Sequence, residues 1–148
     1  LTPILTSGLG ARIGAALLRA WTLQDGGRDA AARIFRPQPA PEGYLEHLQA
    51  ELLLRPWSFR ANTEDIQKLN GALRAQAAGY PGLTVPVEIL HGDADTTVWL
   101  SIHSEPLSRQ IAGANLVVMD GVGHSPHHAE PRTVIAAIDR AAARAGLR

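Results

Sequence analysis

Two short apolar segments constrain this chain more than anything else in it: Val85-Pro86-Val87-Glu88-Ile89-Leu90 and Leu116-Val117-Val118-Met119. Each is rich in β-branched residues and runs directly into a glycine-bearing loop, His91-Gly92 after the first and Asp120-Gly121-Val122-Gly123-His124 after the second. Segments this short and this apolar read as strands that expect burial on both faces, as in a parallel sheet. Residues 100–112 between them have helical character, and Gly113 ends it. After the second strand, residues 131–145 read as an amphipathic helix, with Pro131 at its first position and Val134, Ile135 and Ile138 facing inward. Strand, helix, strand and helix with such short links imply parallel strands and a right-handed crossover.

Upstream of residue 80 the pattern is helices and turns. Residues 9–23 fit a helix with a narrow polar stripe at Arg12 and Arg19, ended by Gly26 and Gly27. A short helix over 28–35 precedes Pro37, Pro39 and Pro41, which force an extended link. A helix over 42–53 puts Leu45, Leu48 and Leu52 on one face and stops at Pro56. Asn62 is a fitting N-cap for the next helix, with Glu64 and Asp65 in its first turn and Ile66, Leu69, Leu73 and Ala77 along one face. Gly79 and the Tyr80-Pro81-Gly82 turn close it.

The composition, 45% hydrophobic and 19% charged, is enough for a globular core. Lys+Arg and Asp+Glu both number 14, so no net field draws nucleic acid or an anionic membrane. With no cysteine, disulfides and thiolate metal sites are excluded. Arg12 and Arg19 break the first apolar stretch, which is neither a signal core nor a membrane span. The chain begins at Leu1 rather than Met, which fits a processed or incomplete reading frame and leaves localisation open.

Functional loops of a parallel α/β sheet lie at the carboxyl ends of its strands. Here those loops carry Asp93 and Asp95, then His124, His127 and His128. A carboxylate that accepts the Nδ1 proton of an imidazole fixes its tautomer and stabilises the imidazolium, which makes the ring a general base. Either aspartate could instead be a loop-capping acid. Three imidazoles within residues 124–128 could hold a metal, but with no ligand-bearing helix and no cysteine, packing is the expected use of His127 and His128. His91 and His103 read as local hydrogen bonders, and His47 as a helix-surface residue. Of the three tryptophans, Trp99 follows the acid loop directly and is best placed to line a substrate pocket; Trp21 and Trp57 suit packing.

Gly92-Asp93-Ala94-Asp95-Thr96-Thr97-Val98 resembles the acid loop of α/β-hydrolases, roughly G-x-x-D-x-x-V, and Gly121-Val122-Gly123-His124-Ser125-Pro126 resembles their histidine loop, roughly G-x-G-H-x-P. The order of the two motifs, with one helix and one strand between them, is also similar. The resemblance implies an α/β fold in which residues 81–148 are the C-terminal part of the hydrolase sheet and residues 1–80 a helical cap. It implies Asp95 as catalytic acid, His124 as catalytic base, no metal or organic cofactor, and a small-molecule substrate, an apolar carboxylic ester. The family's nucleophile sits on a G-x-S-x-G elbow upstream of the acid. No such motif occurs here, and Ser7, Ser101, Ser104, Ser108 and Ser125 have the wrong flanks or positions. The expected serine therefore lies outside this chain, which alone is expected to be inactive. An aspartate nucleophile, as in epoxide hydrolases and haloalkane dehalogenases, is the alternative within the fold; a non-catalytic binding fragment is the alternative outside it.

Two strands cannot cover both faces and both edges of a doubly wound sheet, and bare apolar edges invite association. The chain expressed alone is expected to be marginally stable or oligomeric, gaining order when the missing half of the fold is supplied in trans. Size-exclusion chromatography with urea unfolding checks this; a monodisperse monomer with a cooperative transition of about 5 kcal/mol or more is the contrary result.

Overall fold

The computed structural model describes residues 7–22 and 26–147, with Ala50 and Glu51 described by their backbone alone. These residues fall into two compact units. One combines the described residues before Arg33 with Pro41–Ala77; the other combines Arg33–Ala40 with the described residues from Ala78 onward. Residues 33–40, which the sequence pattern groups with the helical part, thus belong with the strands, because Phe35 and Gln38 make their contacts there.

In the first unit, Ser7 opens helix α1 (Gly8–Trp21), its Oγ accepting the Gly10 N–H at 3.0 Å. Small residues, Gly10, Ala11 and Ala15, form the buried stripe that lets α1 lie close to the long helix Pro56–Ala77. Leu9, Ile13, Leu17 and Trp21 stay exposed. Of the expected 9–23 helix, residue 23 lies outside the described residues. Gly26 passes so close to the Trp21 ring that a Cβ there would overlap it. Gly27 does not end a helix but starts one, α2 (Gly27–Phe35).

The continuous helix expected over 42–53 is instead α3 (Tyr44–His47) followed by a 3-10 turn, Ala50–Leu54. Gln49, at φ 48, takes a left-handed conformation that no α-helix can carry through. Pro56 likewise does not stop a helix but starts α4 (Pro56–Ala77). A proline needs no N–H at a first helical position, and extended Arg55 before it is what proline prefers. Arg55 O accepts the Phe59 N–H, so Asn62 lies inside α4 and is not its cap. Ile66, Leu69 and Leu73, which share one face of the helix, are exposed.

The second unit is a mixed α/β layer. Strand β1 (Glu88–Gly92) pairs in parallel with β2 (Asn115–Met119), from Glu88 opposite Asn115 to Gly92 opposite Met119. The first strand starts later than the apolar run because Pro86 has no N–H to give a ladder; Val87 O still accepts the Asn115 N–H. Between the strands, α5 (Ser104–Gln110) is shorter than the expected 100–112, since residues 99–103 form turns bonded to Trp99 O. After β2 come a short helix absent from the sequence expectation, α6 (Pro126–Ala129), and α7 (Pro131–Arg144). Pro131 opens α7 as expected. Ala137 is its buried residue, while Ile135 and Ile138 are 57% and 60% exposed, contrary to the inward placement read from spacing.

Glu88 sets that rotation of α7. Its Oε2 accepts from Asn115 Nδ2 at 2.7 Å and from Arg140 Nη2 at 2.9 Å, and its Oε1 from Arg144 Nη1 at 3.1 Å. The two arginines therefore face the amino end of the sheet, and Ile135 and Ile138 turn away. The Asn115 amide, together with Arg140 and Arg144, outweighs burial and holds the Glu88 carboxyl below the usual range. Val118 on β2 is also exposed, so the strands are not covered on both faces among the described residues. Among those residues, no helix is long and apolar enough to cross a membrane.

Beyond the last strand pair, backbone bonds continue: Asp93 N–H donates to Met119 O at 3.1 Å and Ala94 N–H to Val122 O at 3.0 Å. The two loops lie backbone against backbone, and a Cβ on Gly92 would fall on the Val122 carbonyl. Gly92→Ala is expected to lower stability by about 1–3 kcal/mol, the usual cost of overpacking. A urea midpoint equal to that of the parent chain would show that the loops tolerate the extra atom.

Candidate functional site

The loop after β1 turns at once, with Asp95 N–H bonded to Gly92 O at 3.1 Å. This brings the Asp95 carboxylate back over the loop that follows it. Its Oδ1 accepts two backbone N–H groups, Thr97 at 2.8 Å and Val98 at 2.9 Å. Aspartate suits such a turn because its short side chain reaches its own backbone two residues on. The rotation that satisfies Oδ1 leaves Oδ2 pointing across to the second loop, where His124 Nδ1 stands 2.8 Å away. The Asp95 side chain is only 5% exposed and the His124 side chain 35% exposed.

The second loop is fixed by three anchors. Asp93 Oδ1 accepts the Gly121 N–H at 2.7 Å, so this aspartate braces the loops and does not contact His124. Gln38 spans the turn from the other side, donating Nε2–H to Gly121 O at 2.8 Å and accepting the Gly123 N–H on Oε1 at 3.0 Å. Gly121 has φ +64, open to glycine at little cost. At Gly123 a Cβ would fall on the Arg36 carbonyl. In the Gly-Val-Gly-His run, Gly121 is thus required by its backbone conformation and Gly123 by backbone packing.

Of the sequence-predicted site residues, the structure brings Asp95 and His124 together. Trp99 sits at the end of the acid loop and is 60% exposed. His127 and His128 turn elsewhere: their rings lie 4.4 Å apart, and His128 meets buried Phe35 edge-on at 5.2 Å. Among the described residues no group of three His, Asp or Glu side chains could hold a metal ion. His91 is buried, with Nδ1 2.6 Å from Ser104 Oγ and Nε2 2.9 Å from Val98 O. Gln38 was not singled out from the sequence, and Ser104 was weighed there only as a nucleophile. A glutamine between two prolines and a serine at a helix start give no signal until the backbone brings their partners near.

Burial pushes the Asp95 carboxyl up, but the N–H groups of Val98, His124 and Thr97 together pull it below its ordinary value of 3.8. By linkage, the stability this carboxylate contributes is complete above that value and is lost as pH falls through the lowered one. Near neutral pH Asp95 is therefore an anion. Facing it, Nδ1 carries the ring proton, and the lone pair of neutral His124 lies on Nε2. Among the described residues, Nε2 has no hydrogen-bond partner. The arrangement can accept a proton at Nε2 while the buried carboxylate stabilises the resulting imidazolium.

A scan of protein-family models and a search of curated proteins found no match to this chain.

The free Nε2 lone pair has a chemical consequence. Diethyl pyrocarbonate should acylate His124 several-fold faster in the parent chain than in Asp95→Asn, whose amide can donate to Nδ1 and drive the proton onto Nε2. Peptide mapping by mass spectrometry reads the rates; equal rates in the two proteins would show that Asp95 does not set the tautomer.

Proposed function

We propose that this chain supplies the acid and base of an α/β-hydrolase that cleaves carboxylic esters, with the nucleophilic serine coming from outside these 148 residues. The observation that carries the reading is the 2.8 Å contact between buried Asp95 Oδ2 and His124 Nδ1, made by loops at the carboxyl ends of adjacent parallel strands. In this reading, His124 Nε2 takes the serine hydroxyl proton as the oxygen bonds to the ester carbonyl carbon. The imidazolium then passes that proton to the departing alkoxide. Water follows the same path: Nε2 takes its proton as the oxygen bonds to the acyl carbon, the imidazolium returns that proton to the departing serine oxygen, and the acid is released. Asp95 remains ionised throughout. Trp99, apolar, exposed and directly after the acid loop, would offer surface to the acyl or alcohol part of the substrate. In the same reading the helices before residue 80 correspond to the family's helical cap.

The assay is hydrolysis of p-nitrophenyl esters by the product of the complete reading frame and by this chain alone. The complete product should be inactivated by a serine-directed phosphonate, and His124→Ala and Asp95→Asn should each lower kcat by about 10⁴-fold or more. The isolated chain should give no turnover above its own His124→Ala control, since a lone imidazole lacks both nucleophile and oxyanion hole. Activity indifferent to His124→Ala would sink the proposal. Activity lost in that variant but insensitive to the phosphonate would move the nucleophile from serine to aspartate.

A further inference from the structure

The acid–histidine pair leaves a second, enclosed imidazole without a function. His91, at the end of β1, is buried, and so is Ser104, the first residue of α5. Its Nε2 faces the Val98 carbonyl at 2.9 Å, and a carbonyl only accepts, so Nε2 carries the proton. Nδ1 of the neutral ring then accepts the Ser104 O–H at 2.6 Å. On the other side of its Cα, Val98 donates its N–H to Asp95 Oδ1. Hydrogen bonds therefore tie Ser104 to His91 and His91 to the Val98 carbonyl, and the Val98 backbone carries the connection to Asp95 and on to His124.

A second distance gives this connection its meaning. His91 Nε2 is 3.6 Å from Asp95 Oδ2, close enough to compete for that oxygen after a small ring rotation, but too far to bond it as placed. Two imidazoles thus flank one carboxylate oxygen, and the Ser104 bond holds His91 in the plane that sends its N–H to Val98. Oδ2 is left to His124.

We propose that His91, oriented by Ser104, is a positioning residue for Asp95: it fixes the acid loop through Val98 and keeps its own N–H off the oxygen that serves His124. This rests on the reading of Asp95 and His124 as an acid–base pair. The test uses the chain itself and needs no substrate. Long-range ¹H–¹⁵N spectra read the protonation of each ring nitrogen of His124, and the diethyl pyrocarbonate rate reads its Nε2 lone pair. In Ser104→Ala and His91→Ala the His124 signals should move toward those of Asp95→Asn, and its acylation should slow by about threefold to tenfold, the scale of one hydrogen bond. His91→Gln keeps a donor for Val98 and an acceptor for Ser104, and should restore parent values. Should His91→Ala fail to fold, Ser104→Ala and His91→Gln still decide. If Ser104→Ala shifts only the urea midpoint while the His124 spectra and rate stay at parent values, His91 is packing alone and the inference fails. If Asp95→Asn also leaves them unchanged, the acid–base pair itself is refuted, and the positioning role with it.

Discussion

The pairing of β1 with β2 does not stop where the strands do, and the site depends on its continuation. Past Gly92 and Met119 the strand register ends, but the backbones stay bonded to each other from Asp93 to Met119 and from Ala94 to Val122. Parallel pairing places the carboxyl ends of both strands on one edge, and the extra bonds carry the two loops outward together. Asp95 and His124 are far apart in sequence, yet their meeting requires no flexible reach. Each is held within a few bonds of a paired backbone, the arrangement in which a side-chain contact is set by rigid elements.

Within that frame the Asp95 carboxylate is divided between two tasks. Oδ1 is given to the loop's own amides, which fix the rotamer, and Oδ2 is given to His124. Burial alone would raise the carboxyl and leave a neutral acid opposite the ring. Donors on both oxygens reverse that, so the group facing His124 is an anion. A negative charge with little solvent around it acts more strongly on a neighbouring imidazole than it would in water.

How much of this was legible in the residues differs from part to part. The strands declared themselves because β-branched runs ending in glycine-rich loops have few other uses; their loops narrowed the candidates to two aspartates and three histidines, and the resemblance of those loops to known motifs picked out Asp95 and His124. The helices were legible as helices, but not in their limits or their facing. Leucine spacing cannot reveal the left-handed Gln49 that divides residues 44–54. Pro56 reads equally as an end or a beginning until Arg55 is seen to be extended. The spacing of Ile66, Leu69 and Leu73, like that of Ile135 and Ile138, marks an apolar face, but nothing in a local pattern says whether a neighbour covers it. The contacts of Gln38, Ser104 and the Glu88 cluster were invisible for the same reason: each acts through partners distant in sequence.

The Glu88 cluster and the acid–histidine pair stand at opposite ends of a five-residue strand, and the two ends are fastened by different chemistry. At the amino end, ions do the work, and Arg140 and Arg144 remain open enough to water for dissolved salt to weaken their hold. At the carboxyl end the fastening is mostly amide to carbonyl, which salt scarcely touches. The sheet therefore has one adjustable end and one constant end. Substitution among Glu88, Asn115, Arg140 and Arg144 can tune the unit to a saltier or hotter setting while the geometry around the imidazole stays as it is.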